Sequence, residues 1–89
     1  MKAIITVTGK DKTGIIAGVS AALSAAGVNI LDISQTVLQD YFAMIMLVDL
    51  QDSTASFSEL SEKLDETGKT ICMDIRIMRE EIFDAMHRL

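Results

Sequence analysis

The alternation of apolar and polar residues predicts four strands and two helices. Strands are expected at 3–8, 28–38, 41–48 and 71–78, where apolar and β-branched residues cluster or alternate between polar turns. Helices are expected at 15–26 and 57–67, where apolar residues recur every three or four positions. The predicted order is therefore β-α-β-β-α-β.

Capping and turn residues mark the ends of these elements. Gly27 is placed to end the first helix in the left-handed conformation, and Gly68 is expected to end the second. Ser56 followed by Glu59 is the signature of a capping box. A polar turn at 39–40 separates the second and third strands. The third strand is apolar on both faces, which suits a central strand covered on both sides.

A weak internal repeat supports a doubled β-α-β unit. Three residues of the first half recur 41 positions later, with Leu23, Gly27 and Ile30 matching Leu64, Gly68 and Ile71. Such a doubling is what the ferredoxin-like fold requires, with right-handed crossovers placing both helices on one face of the sheet. The predicted class is α+β, a ferredoxin-like βαββαβ sandwich with a four-stranded antiparallel sheet.

Gly14 and Asn29 have no counterpart in the second half of the repeat. We expect the start of the first helix to lie close to the start of the second strand. Free backbone N–H groups beside Gly14 would bind a carboxylate, and the Asn29 amide offers both a donor and an acceptor. Asp11, and more speculatively Asp32, would receive an ammonium group. Together these groups describe a site for a free α-amino acid, although ordinary turns also use Gly and Asn.

Two segments then become recognisable, residues 11–16 (DKTGII) and 27–30 (GVNI). Their sequence and spacing resemble the ACT domain, a small ferredoxin-like regulatory module, over residues 2–78. The chain looks most like stand-alone ACT proteins near the glycine-cleavage-system repressor and the formyltetrahydrofolate deformylase modules. Thr13 stands where that family often has proline.

The resemblance implies a module that senses amino acids or other small metabolites, commonly at a dimer interface. It implies that Gly14 and Ile15 contact a ligand carboxylate through their backbone. It also implies that Asn29 and Ile30 line the opposite wall and that Asp11 lies at the mouth. The alternative left open is a dimerisation or protein-interaction module without a ligand.

Composition narrows the functional classes. A chain of 89 residues suits one domain, 1–89, with a core at 2–78 and a tail at 79–89. The net charge of −5 opposes nucleic-acid binding, and residues 14–31, although uncharged, are too rich in Ala, Ser and Gly for a membrane span. One cysteine cannot form an intrachain disulfide, so a cytoplasmic location is expected. A lone His87 supports no metal site or catalytic triad, so neither an enzyme nor a cofactor is expected.

The tail and the apolar content predict an interface. Residues 79–89 are expected to form a short helix with one apolar face, made of Ile82, Phe83, Met86 and Leu89. The helix should dock on the open sheet face or on a partner, because so short a helix is marginal alone. With 49% of the residues hydrophobic, one small domain has more apolar surface than it readily buries. We therefore expect a homodimer in which a second chain covers the open sheet face and this stripe, with a regulated protein as a possible further partner.

Overall fold

A computed structural model describes residues 1–87 and confirms the predicted fold. The elements are β1 (Lys2–Lys10), α1 (Ile15–Ala25), β2 (Asn29–Leu38), β3 (Tyr41–Asp49), α2 (Phe57–Ile71), β4 (Asp74–Arg79) and α3 (Glu80–Met86). The strands form one antiparallel sheet in the order β2-β3-β1-β4. This is the ferredoxin-like topology, with β1 and β3 in the centre. No described helix combines the length and the apolar character needed to cross a membrane.

The core lies between one face of the sheet and the helices α1 and α2. Every second residue of β1 and β3 points into it, because side chains alternate between the two faces of a strand. Burying each of these side chains contributes roughly 1.5–3 kcal/mol. The fully buried residues that form the centre of this layer are Ile5, Val7, Met44, Met46, Val48, Val19, Leu23, Leu60 and Leu64.

The opposite face of the sheet is left open by the part of the chain that the structure describes. The prediction that β3 is a central strand is confirmed, but the expectation that it is covered on both sides is wrong within a single chain. Ile45, which alternates with the buried methionines of β3, is 48% exposed. The apolar residues of this second face are therefore available to another molecule.

Gly27 ends α1 as predicted, whereas Gly68 does not end α2. Gly27 has φ +71°, and the helix continues past Gly68 to Ile71. Cys72 takes the left-handed position instead, with φ +57°, and the Met73 N–H donates to the Gly68 carbonyl oxygen over 2.8 Å. Gly68 is needed for another reason, because a Cβ there would lie 2.5 Å from the Met73 carbonyl oxygen.

The last strand begins later than predicted because α2 is longer than predicted. β4 begins at Asp74, three residues later than predicted, and Ile71 belongs to the helix. Ile71 instead packs beside Gly18 of α1, where a Cβ would lie 3.3 Å from its side chain. The two β-α-β halves of the chain therefore share their topology but differ in the connection between each helix and the strand that follows it.

The C-terminal helix α3 contacts β1 and β4. Of the predicted apolar stripe, Leu89 lies outside the described residues. Phe83 is half-buried and stacks on His87 with ring centroids 4.2 Å apart, while Ile82 and Met86 stay exposed. The helix thus docks against its own chain and leaves Ile82 and Met86 of the stripe exposed.

The predicted capping box at the start of α2 is confirmed. The Glu59 N–H donates to the Ser56 hydroxyl oxygen over 3.1 Å, and the Ser56 N–H donates to the Glu59 carboxylate over 3.0 Å. The backbone hydrogen bond, then the hydroxyl of Ser56, hold the pKa of Glu59 below its ordinary value of 4.5, with a smaller contribution from Lys63. The ionised carboxylate therefore helps to fix the first turn of α2.

Removing this cap should destabilise the protein measurably. We expect Ser56→Ala to lower the free energy of unfolding by about 1 kcal/mol in urea denaturation, since one helix N–H loses its acceptor. Ser58→Ala is the matched control. Ser58 lies two residues after Ser56 and is also exposed, but it does not cap the helix. Equal effects of the two substitutions would contradict the capping account.

The cap should also make stability depend on pH. A carboxyl whose pKa is lower in the folded state stabilises fully above its ordinary pKa and loses that contribution as the pH falls through the folded value. We therefore expect wild type to lose stability below pH 4.5 more steeply than Glu59→Gln. Identical pH profiles between pH 5 and pH 2 would contradict this role.

Candidate functional site

The start of α1 is an open helix terminus. Gly14 occupies the N-cap position with φ +87°, and apart from the adjoining backbone no described atom lies within 4 Å of where its Cβ would be. No side chain caps this helix, and its first turn carries no acidic residue, in contrast to α2. The first-turn N–H groups therefore have no side-chain acceptor, and they lie at the positive end of the helix dipole. Such a terminus can bind a carboxylate, because its N–H groups can donate hydrogen bonds to it.

Asp11 and Ile15 flank this terminus. The Asp11 N–H donates to the Asp40 carbonyl oxygen over 2.7 Å, which ties the loop to the turn between β2 and β3. The Asp11 side chain is exposed. Ile15 is only 2% exposed, because its side chain belongs to the core. Ile15 can therefore face a ligand only with its backbone.

Asn29 and Ile30 lie at the other end of the sheet. Asn29 pairs with Asp49, which pairs with Lys2 at the start of β1. Gly14 follows the opposite end of β1, where Lys10 pairs with Tyr41. With 11 residues, α1 separates the two positions by about 16 Å.

The expectation that the helix start lies close to the start of β2 is therefore wrong within one chain. The reason is topological, because α1 runs back along the whole of β1 before β2 begins. The structure brings Asp11, Gly14 and Ile15 together at one end, and Asn29 and Ile30 at the other. Asp32 belongs to neither group, since it pairs with Leu47 on the uncovered sheet face and its carboxylate accepts the Ile33 N–H over 2.9 Å.

A groove of about 580 Å³ lies beside Asn29. It lies between α1 and the start of β2, is bordered by the loop after β3 and is open to solvent. Residues 27–30 form its floor, while Ser20, Ser24 and Asp52 form its walls. Sequence reasoning missed these three wall residues, although the i, i+4 spacing of the serines places both on one side of α1. A smaller groove of about 330 Å³ lies beside Cys72, away from all the predicted site residues.

The outer edge of β2 is open and apolar. β2 is ten residues long, pairs only with β3 in the described chain, and is exposed along almost its whole length. Leu31, Ile33, Val37 and Leu38 are all exposed, with Leu38 at 73%. The strand has one charged residue, Asp32, and no Lys or Pro, which are the residues that commonly protect a strand edge. The pattern of apolar residues predicts an interface on the open sheet face and on the C-terminal stripe, but not at this edge.

Comparison with known proteins agrees with this fold. The sequence profile of the ACT domain matches residues 2–78. A UPF0237 protein of Clostridium acetobutylicum is 57% identical over 89 residues, which is the full length of both chains. The structure of an ACT domain protein from Streptococcus pneumoniae shares 48% identity, covers 98% of both chains and has a TM-score of 0.83.

Two more distant structures share the fold. The first is a formyltetrahydrofolate deformylase from Pseudomonas syringae, with 21% identity and a TM-score of 0.79 over 88% of this chain and 27% of that one. The second is a putative glycine cleavage system transcriptional repressor, with 23% identity and a TM-score of 0.74 over 86% of this chain and 44% of that one. The predicted likeness to these two groups is confirmed at the level of the fold. ACT domains are regulatory, ligand-binding modules, and this chain belongs to the ACT domain family.

Proposed function

We propose that the protein is a regulatory module that binds a free amino acid, or a related small metabolite, between two copies of the chain. The observation that carries this proposal is the separation of the two halves of the predicted site by the length of α1. A free amino acid carries its carboxylate and ammonium groups on one carbon, so it cannot reach both halves within one chain. A second copy can supply the missing half.

Antiparallel pairing of two β2 edges would bring the halves together. In such a two-fold dimer, Asn29 at the start of one β2 faces Leu38 at the end of the other. The end of β2 is tied to the Asp11 loop through the turn at 39–40 and the Asp11–Asp40 hydrogen bond. The Gly14 terminus of one chain would thus approach the Asn29 end of its partner, which gives two equivalent sites per dimer.

Exposed apolar residues support this arrangement. Ile33 and Val37 pair with buried residues of β3, Met46 and Phe42, so they lie on the helix side of the sheet. They are nevertheless exposed, as is Ile16 on the nearby first turn of α1. A second chain docked at the β2 edge would cover these side chains, and their burial would favour association.

Recognition of the ligand would follow from simple electrostatics. The first-turn N–H groups of α1 would donate to the carboxylate, and Gly14 allows close approach because it has no side chain. Across the interface, Asn29 would contact the ligand through its amide, and the apolar side chain of Ile30 would pack against it. Asp11 at the mouth would attract the ammonium group.

Regulation would follow from linkage between binding and assembly. A ligand held by both chains would stabilise the dimer in which the two halves of the site meet. A protein partner would respond by binding the liganded and unliganded states with different affinity. We assign this protein to binding rather than catalysis, and to the cytoplasm, where a single unpaired cysteine remains reduced.

A negative charge introduced at position 14 should prevent ligand binding. We expect amino acids at millimolar concentration to raise the melting temperature of wild type, and Gly14→Asp to abolish the rise because its carboxylate repels that of the ligand. Gly14→Asn is the matched neutral variant, since Asn and Asp both tolerate a left-handed backbone better than most residues. We expect Gly14→Asn to keep more of the shift than Gly14→Asp. A dimer with no shift for any amino acid would favour the ligand-free interaction module.

Dimerisation should depend on the β2 edge. We expect Val37→Lys to convert the dimer to a monomer in light scattering, because a charge on the edge is desolvated when the strands pair. Ile82→Lys on α3 is the control, since Ile82 is 48% exposed and Val37 is 51% exposed. Loss of the dimer in Ile82→Lys but not in Val37→Lys would contradict pairing at the β2 edge and would indicate an interface at α3.

A further inference from the structure

We infer that the groove beside Asn29 is a side-chain pocket that selects an amino acid with a cationic side chain. This inference rests on the proposed function, because it concerns the part of the ligand that extends beyond the carboxylate and ammonium groups. A ligand held between Gly14 of one chain and Asn29 of its partner would lie beside a groove on the Asn29 side. This groove lies between α1 and the loop after β3.

The charges around this groove favour a cation. Of residues 1–87, Asp52 is the only charged one in its lining, and none of their Lys or Arg side chains contributes to it. Among residues 1–87, no cationic group lies within 4 Å of the Asp52 carboxylate. The groove also lies at the C-terminal end of α1, where the helix dipole is negative and the last turn has no basic residue. A ligand ammonium or guanidinium group would therefore gain a partner that the protein itself does not provide.

The wall that carries Asp52 is held in place before any ligand binds. The Thr54 N–H donates to the Ala26 carbonyl oxygen over 2.9 Å, and the Thr54 hydroxyl approaches the same oxygen at 3.3 Å. The Asp52 carbonyl oxygen packs so closely on Gly27 that a Cβ there would lie 2.9 Å from it. The backbone of the loop is therefore fixed to the end of α1, so Asp52 lies beside the groove without any rearrangement of the loop.

The polar walls and the size of the groove fit a long side chain. Ser20 and Ser24 provide hydroxyl groups along one wall, and Val28 and Ile30 provide apolar surface at the floor for a methylene chain. With a volume of about 580 Å³, the groove has more room than a small side chain such as that of serine or alanine would fill. The expected ligand class is an α-amino acid whose side chain ends in an ammonium or guanidinium group.

The test compares cationic amino acids with their neutral counterparts by calorimetric titration of the full-length protein. The probes are L-lysine against L-norleucine and L-arginine against L-citrulline. We expect each cationic probe to bind about three- to fivefold more tightly than its neutral counterpart, which is the strength of a solvent-exposed ion pair. This preference should shrink as salt is raised from 50 mM to 500 mM.

Asp52→Asn should remove the preference by weakening only the cationic probes, with the affinity for L-norleucine unchanged. Asp65→Asn is the control, since it makes the same charge change on α2 outside the groove. Equal binding of L-lysine and L-norleucine, or an unchanged preference in Asp52→Asn, would overturn the inference while leaving the proposed function standing. Binding of none of the four probes would also overturn the inference, and the melting-temperature test with the other amino acids would then decide the proposed function separately.

Discussion

The length of α1 is the constraint on which this account depends. The helix spans the sheet, so its positive end lies beside the turn that closes β2 and its negative end lies where β2 begins. Groups suited to the two ends of an amino acid are therefore held about 16 Å apart in one chain. The same sheet leaves β2 unpaired on its outer side, next to the helix that separates these groups. The proposed two-fold dimer would pair the open edge and complete the divided site.

Packing explains why β2 is left open. α2 lies over β4, and both helices bury their apolar faces against the two central strands. The helices leave apolar side chains of the edge strand exposed, Ile33 and Val37 among them. The surplus of hydrophobic residues in this short chain thus has three locations: the uncovered sheet face, the exposed side of α3 and the β2 edge. Only the last of these lies beside the candidate binding groups.

Local signals in the sequence were sufficient wherever one or two neighbouring residues determine the backbone. The capping box of α2 and the left-handed turn at Gly27 are of this kind, and both were predicted. Gly68 was misjudged because its role depends on a contact with the carbonyl of Met73, which no local pattern reveals. The division of the site was missed for a similar reason. The distance between Gly14 and Asn29 follows from strand register, and Asp52 reaches the groove only because its loop is fixed to α1.

Mixing two defective variants tests most directly whether the site is shared between chains. Gly14→Asp and Asn29→Ala each damage a different half, so neither homodimer should bind the amino acid that stabilises wild type. After the two are mixed and refolded together, half of the dimers carry one chain of each kind, and each of these has one intact site. The account predicts recovery of about a quarter of the wild-type binding capacity in calorimetric titration. No recovery in verified mixed dimers would contradict it, because a site contained within one chain cannot be restored in this way.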